Sequence, residues 1–168
     1  LLDLKLVVGT SEARSRLAKA TLAVLGMPDI EVGVGSVRAA RNATDSEDYV
    51  RKVADTGFMY LQGVSEQSDS MQSTLEQYQD AAPKSLSMVF SCGLTDFAKF
   101  IESNVALFAE KTRRVIINAA VDEESFAKAG DDSFLEPDMG AAHFKIDESA
   151  AALVMRTCQE QKVQMIIL

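Results

Sequence analysis

His143 is the only histidine in the chain of 168 residues, and it stands four positions ahead of Asp147 in the stretch LEPDMGAAHFKIDESAAALV. An imidazole can relay a proton, ligate a metal or hydrogen-bond a ligand, so its neighbours decide which chemistry is open to it. No zinc-type set accompanies it, because the only two cysteines, Cys92 and Cys158, lie 66 positions apart, and they read as core residues. A Ser-His-Asp relay needs an elbow serine, and Ser91-Cys92-Gly93 lacks the G-x-S-x-G frame. The acidic stretches TDSED and GDDSF lack the ligand spacing of a calcium loop and read as solvated loops. The run GVGS at 33–36 has neither the G-x-G-x-x-G spacing nor a following Lys-Ser/Thr, and reads as a tight turn rather than a phosphate cradle. Two roles remain for His143: a polar contact in a ligand pocket, or a partly exposed loop side chain.

The elements around it decide between edges of a sheet. LKLVVG (4–9) is dense in Leu and Val and ends in Gly, the pattern of a strand buried on both faces of a parallel sheet. Ser11 follows as a helix N-cap, and Leu17, Thr21, Val24 and Leu25 fall at helical spacing before Gly26 and Pro28. IEVGVG (30–35) reads as a second strand, SMQSTLEQYQDAA (70–82) as a helix stopped by Pro83, and SLSMVFS (85–91) as a third strand. LTDFAKFIESNVALFAEK (94–111) predicts two short helices broken near Asn104, followed by a strand RRVIINAAV (113–121). The segment 122–146 reads mostly as loop, Asp147 as the N-cap of a helix to about Lys162, and VQMIIL as the fifth strand. Residues 36–68 are loop with an unfixed helix over DYVRKVADTGFMYL. Strands alternating with amphipathic helices predict an α/β fold: one mostly parallel open sheet, Rossmann-like, with helices on both faces. Ligands in such sheets bind beyond the carboxyl ends of the strands, which singles out Gly9-Thr10, Ser91-Cys92 and Asn118-Ala119-Ala120.

Composition narrows the partners. With 47% hydrophobic and 25% charged residues the chain can build a core, and 168 residues suit one α/β domain or the central part of a larger one. A net charge of −8, with no basic run longer than Arg113-Arg114, excludes nucleic acid as the expected partner. Apolar runs are strand-length, short of the roughly 20 residues of a membrane span. The isolated cysteines favour a reducing compartment, hence a cytoplasmic protein. The first residue is Leu1 and the last run is apolar, so the expectation is a fold truncated at both ends, within a larger chain or an oligomer.

The order of these segments resembles the nucleoside hydrolase family, the inosine-uridine-preferring ribohydrolases. Where that family opens a helix with GPLTN, this chain has Cys92-Gly93-Leu94-Thr95-Asp96; where it ends a strand with MGG, this chain has Asn118-Ala119-Ala120. An asparagine four residues before D-x-x-AA is matched by His143 before Asp147, and the early VTTVAGN strand by LVVG followed by Thr10. The match spans nearly the whole chain and the middle half of a family member.

The resemblance implies hydrolysis of the N-glycosidic bond of ribonucleosides to base and ribose, with calcium holding the nucleophilic water and the ribose diol. It implies a backbone carbonyl to calcium at Ser91, and ribose contacts at Thr10, Asn118 and His143. It also implies losses. Thr10 stands for an asparagine, Asn118 for a methionine, His143 for an asparagine, and Ala141 sits where a glutamate binds the sugar. The aspartate clusters that hold calcium are absent, so no cofactor is expected for this chain alone, and alone it should be inactive. Two functions follow: a nucleoside hydrolase-like protein acting on a small N-riboside, or a binding or structural protein that keeps the fold without the chemistry.

Overall fold

A computed structural model describes residues 3–9, 11–36, 68–128 and 133–168. They form two compact units, Leu1–Gln77 and Tyr78–Leu168. Among the described residues every pairing between strands is parallel, as the alternating pattern predicts, and these strands form two sheets of three rather than one sheet of five. The unfixed helix read over 48–61, and Thr10, lie outside the described residues.

In the first unit, β1 (Leu6–Gly9) pairs with β2 (Glu31–Val34), which pairs with the two-residue β3 (Ser68–Asp69). Helix α1 (Glu12–Val24) returns the chain between β1 and β2. Its N-cap is Ser11, whose side chain accepts from the Arg14 N–H, as the sequence predicts. Its exit is a Schellman turn, with Met27 N–H donating to Leu22 O, Gly26 N–H to Ala23 O, and Gly26 at φ 76°. Helix α2 (Ser70–Asp80) follows β3. The Glu31 carboxylate, on the first residue of β2, accepts from Ser68 Oγ (2.8 Å) and from Ser73 Oγ of α2. The Ser73 hydroxyl, against the opposing effect of burial, holds that carboxyl below its usual range.

Two glycines permit the close packing here. A Cβ on Gly9 would lie 2.4 Å from Ser15 Oγ and 2.5 Å from Ser15 N; one on Gly33 would lie 2.8 Å from Ser70 Cα. The buried Ser15 hydroxyl lies 2.9 Å from Ser11 O and 3.0 Å from Gly33 O, tying α1 to β2.

In the second unit, β4 (Leu86–Phe90), β5 (Thr112–Ile117) and β6 (Gln164–Ile167) lie side by side in that order. Helix α3 (Thr95–Lys111) crosses from β4 to β5. It is kinked at Asn104 (φ −139°, ψ 36°), where the sequence predicts a break, and the Asn104 amide donates to Phe100 O at 3.0 Å. Phe97 meets Phe90 of β4 at 4.5 Å between ring centroids and Phe108 at 5.7 Å, while Phe100 meets Tyr78 at 4.6 Å. The Tyr78 hydroxyl shares a hydrogen bond with Thr112 Oγ1 (2.9 Å) in this core.

Between β5 and β6 lie α4 (Glu123–Lys128), α5 (Ala142–Ile146) and α6 (Glu148–Glu160), the last packed against α3. Two expectations change here. The strand expected to reach residue 121 stops at Ile117, because the chain then turns away and Val121 pairs antiparallel with Pro137. The expected loop of 122–146 contains two short helices, α4 and α5. Asp147 caps α6 as predicted, accepting from the Ala150 N–H, and α6 ends in a second Schellman turn with Lys162 at φ 52°.

Two outcomes follow from this packing. Gly9→Ala should lower stability by about 1–3 kcal/mol, because the added methyl overpacks α1 against β1; an unchanged urea midpoint would show that α1 is not seated there. Asp147 has a carboxyl held below its ordinary range: burial pushes it up, and the hydrogen bonds from Thr95, Ala150 and Ser149, with the charge of Lys99, outweigh that. A lowered folded-state value contributes stability that is present above the unfolded carboxylate range and lost as pH falls through the folded one. Asp147→Asn, which still caps a helix, should therefore flatten the loss of stability below about pH 4; an acid limb as steep as in the parent protein would count against it.

Candidate functional site

The carboxyl edge of β4, β5 and β6 is where ligands meet a parallel sheet. Ser91 follows β4 directly and Asn118 follows β5, and both side chains are exposed. Parallel pairing of Phe90 with Ile117 sets them on neighbouring strand ends, and the Asn118 N–H donates to Phe90 O at 2.9 Å. The Ala119 N–H donates to Leu168 O at 3.2 Å, closing the edge on the β6 side.

The segment that carries His143 is tied to this edge at both ends. Asp138 N–H donates to Ala120 O at 3.0 Å, and Asp138 Oδ1 accepts from Gly140 N–H at 2.7 Å. Ala141, in the place where the resemblance expects a sugar-binding glutamate, is the N-cap of α5 and offers no side-chain hydrogen bond. His143 lies on α5, half-buried, and its Nδ1 is buried with no hydrogen-bond partner. The next residue, Phe144, is fully buried. At the far end Asp147 Oδ2 accepts from Thr95 Oγ1 at 2.7 Å, and Oδ1 from Ser149 Oγ at 3.0 Å and Ala150 N–H at 3.1 Å.

Of the residues named from sequence, the fold thus sets Ser91 and Asn118 on adjacent strand ends and His143 on a segment anchored to the same edge; Thr10 lies outside the described residues. Sequence reasoning missed Thr95, although it lies in the CGLTD frame, because its partner is 52 residues away. Among the described residues no group of three or more His, Cys, Asp or Glu side chains could hold a metal ion. Cys158 is fully buried in α6, and burial pushes its thiol up to about 12, so it serves the core rather than chemistry.

One cavity of about 430 Å³ lies elsewhere in this unit, between α6 and the segment before it, lined by Phe134, Leu135, Glu136, Ala152, Leu153, Arg156 and Thr157. The Gln159 amide holds that wall, accepting from Leu135 N–H at 2.7 Å and donating to Leu135 O at 3.0 Å. None of the residues named from sequence lines it. Among the described residues no helix is long and apolar enough to cross a membrane.

No protein-family model matches the chain, and no curated protein matches it in sequence. Solved structures match in fold. The type III effector protein XopQ, complexed with adenosine diphosphate ribose, superposes with a TM-score of 0.71 at 21% identity, over 99% of this chain and 48% of that one. The effector protein XOO4466 gives a TM-score of 0.75 at 22% identity, over 99% of this chain and 46% of that one. The chain thus spans about half the length of the structures it matches. The likeness is one of fold, the nucleoside hydrolase-like α/β fold. Membership of the nucleoside hydrolase family, which the four motif frames implied, is corrected by these findings: no family model supports it, and the matching structures are effector proteins. The frames follow the strand-turn-helix order of the fold, which divergent proteins share.

Proposed function

We propose that this chain belongs to a protein that binds a ribose-bearing small molecule over the carboxyl edge of β4–β6, as a binding module rather than a hydrolase. The observation that carries this reading is that a solved structure of the same fold is complexed with adenosine diphosphate ribose. Two features of the chain support the place. Asn118 is exposed at a strand end, and the buried Nδ1 of His143 keeps an unused hydrogen-bonding position on a segment fixed to that edge. An asparagine amide and an imidazole can both bond a ribose hydroxyl. Hydrolysis of an N-glycosidic bond is the alternative reading, and it requires a metal-holding carboxylate set that the described residues do not supply.

The charge of the edge shapes the affinity. Segments 91–99, 118–128 and 133–148 carry eight acidic side chains and three lysines. A pyrophosphate approaching this edge meets repulsion, which salt screens.

Calorimetry at several salt concentrations checks the reading. Adenosine diphosphate ribose should bind more tightly as salt rises, the reverse of a basic phosphate site, while neutral inosine should bind with little salt dependence. Asn118→Ala and His143→Ala should each weaken binding roughly tenfold, the effect of one lost polar contact. If neither ligand binds, or if both variants bind as the parent does, the reading is wrong. Incubation with inosine and uridine in the presence of calcium should release no base; release above a protein-free control would restore the hydrolase.

A further inference from the structure

We propose that Asp147 is a positioning residue: its bond to Thr95 fixes the short helix that presents His143 at the carboxyl edge. The proposal rests on the reading of that edge as a ribose site.

Helix α5 has five residues, too few to hold its own geometry, so its orientation comes from its anchors. Three are visible. Asp138 ties its approach to Ala120, Phe144 sinks into the core with no exposed surface, and Asp147 closes its far end. Asp147 lies one helical turn beyond His143 and does three things at once. Its backbone N–H donates to Phe144 O at 3.2 Å and ends α5. Its Oδ1 caps α6 through Ala150 and Ser149. Its Oδ2 accepts from Thr95 Oγ1, on the first residue of α3 and only 8% exposed.

The division of labour between the two oxygens matters. The Oδ1 bonds lie within the start of α6 and suffice for its cap. The Oδ2 bond is different in kind, because it joins the junction of α5 and α6 to the helix that follows β4. Leu94, the N-cap of α3, makes no side-chain capping bond, and the Thr95 hydroxyl is turned to Asp147. Removing that hydroxyl leaves the α6 cap intact and releases only the hold on the junction at the end of α5, the helix that carries His143.

The single histidine makes the test direct, since the imidazole carbon-bound protons of His143 give one set of NMR signals. Thr95→Val and the smaller Thr95→Ala should shift or broaden those signals, and Thr95→Ser should restore them. Ser149→Ala, which removes a bond to the other oxygen, should leave them in place. Calorimetry with adenosine diphosphate ribose should show affinity falling about tenfold in Thr95→Val and recovering in Thr95→Ser. A merely structural role for the bond lowers the melting temperature and leaves the His143 signals superimposed on those of the parent; that outcome overturns the proposal. Signals that move in Thr95→Val while the parent binds no adenosine diphosphate ribose uphold the positioning role and overturn the ribose reading instead.

Discussion

The ring of Phe97 fixes the architecture around the candidate site. It lies against Phe90 at the end of β4 and against Phe108 beyond the Asn104 kink, so one side chain holds both halves of α3 to the sheet. Aromatic contacts of this kind contribute about 0.5–1.5 kcal/mol each beyond the area they bury. Position matters more than magnitude here. Because Phe97 comes two residues after Thr95, seating its ring also sets where the Thr95 hydroxyl can meet Asp147. The geometry of the edge is thus inherited from an apolar contact inside the core.

Seen from the edge, the chain solves a recurring difficulty of α/β folds. The loops beyond the strands must be free to carry polar groups, yet a ligand site needs them held. Here the holding falls to backbone bonds at Ala120 and Ala119 and to one shared carboxylate, while Phe144 supplies depth. The polar positions left over, at Asn118 and His143, are those with least work to do in the fold.

Much of this was legible in the sequence. The Ser11 and Asp147 caps, the break at Asn104 and the parallel α/β pattern all follow from local signals, namely a short polar side chain before an apolar period, or an asparagine within one. The extent of β5 was not legible. Ala119 to Val121 resume the apolar run after Asn118, and the pairing of Val121 with Pro137 draws them off the sheet. Helices α4 and α5 were hidden because Gly, Pro and acidic residues dominate their surroundings. The strand-end places of Ser91 and Asn118 were legible, whereas the bond between Thr95 and Asp147 joins residues 52 apart and leaves no periodic trace. The motif frames carried the fold correctly and the family wrongly, since turn chemistry repeats wherever the same strand and helix must be joined.

The burial of Cys158 has a consequence for ageing and redox exposure. Burial pushes its thiol up to about 12, so little of it is the reactive thiolate at neutral pH, and the side chain itself is fully buried on α6. Alkylation or oxidation there must wait for α6 to lift away. The rate at which Cys158 is modified is therefore a clock for the opening of the very helix whose first turn Asp147 secures.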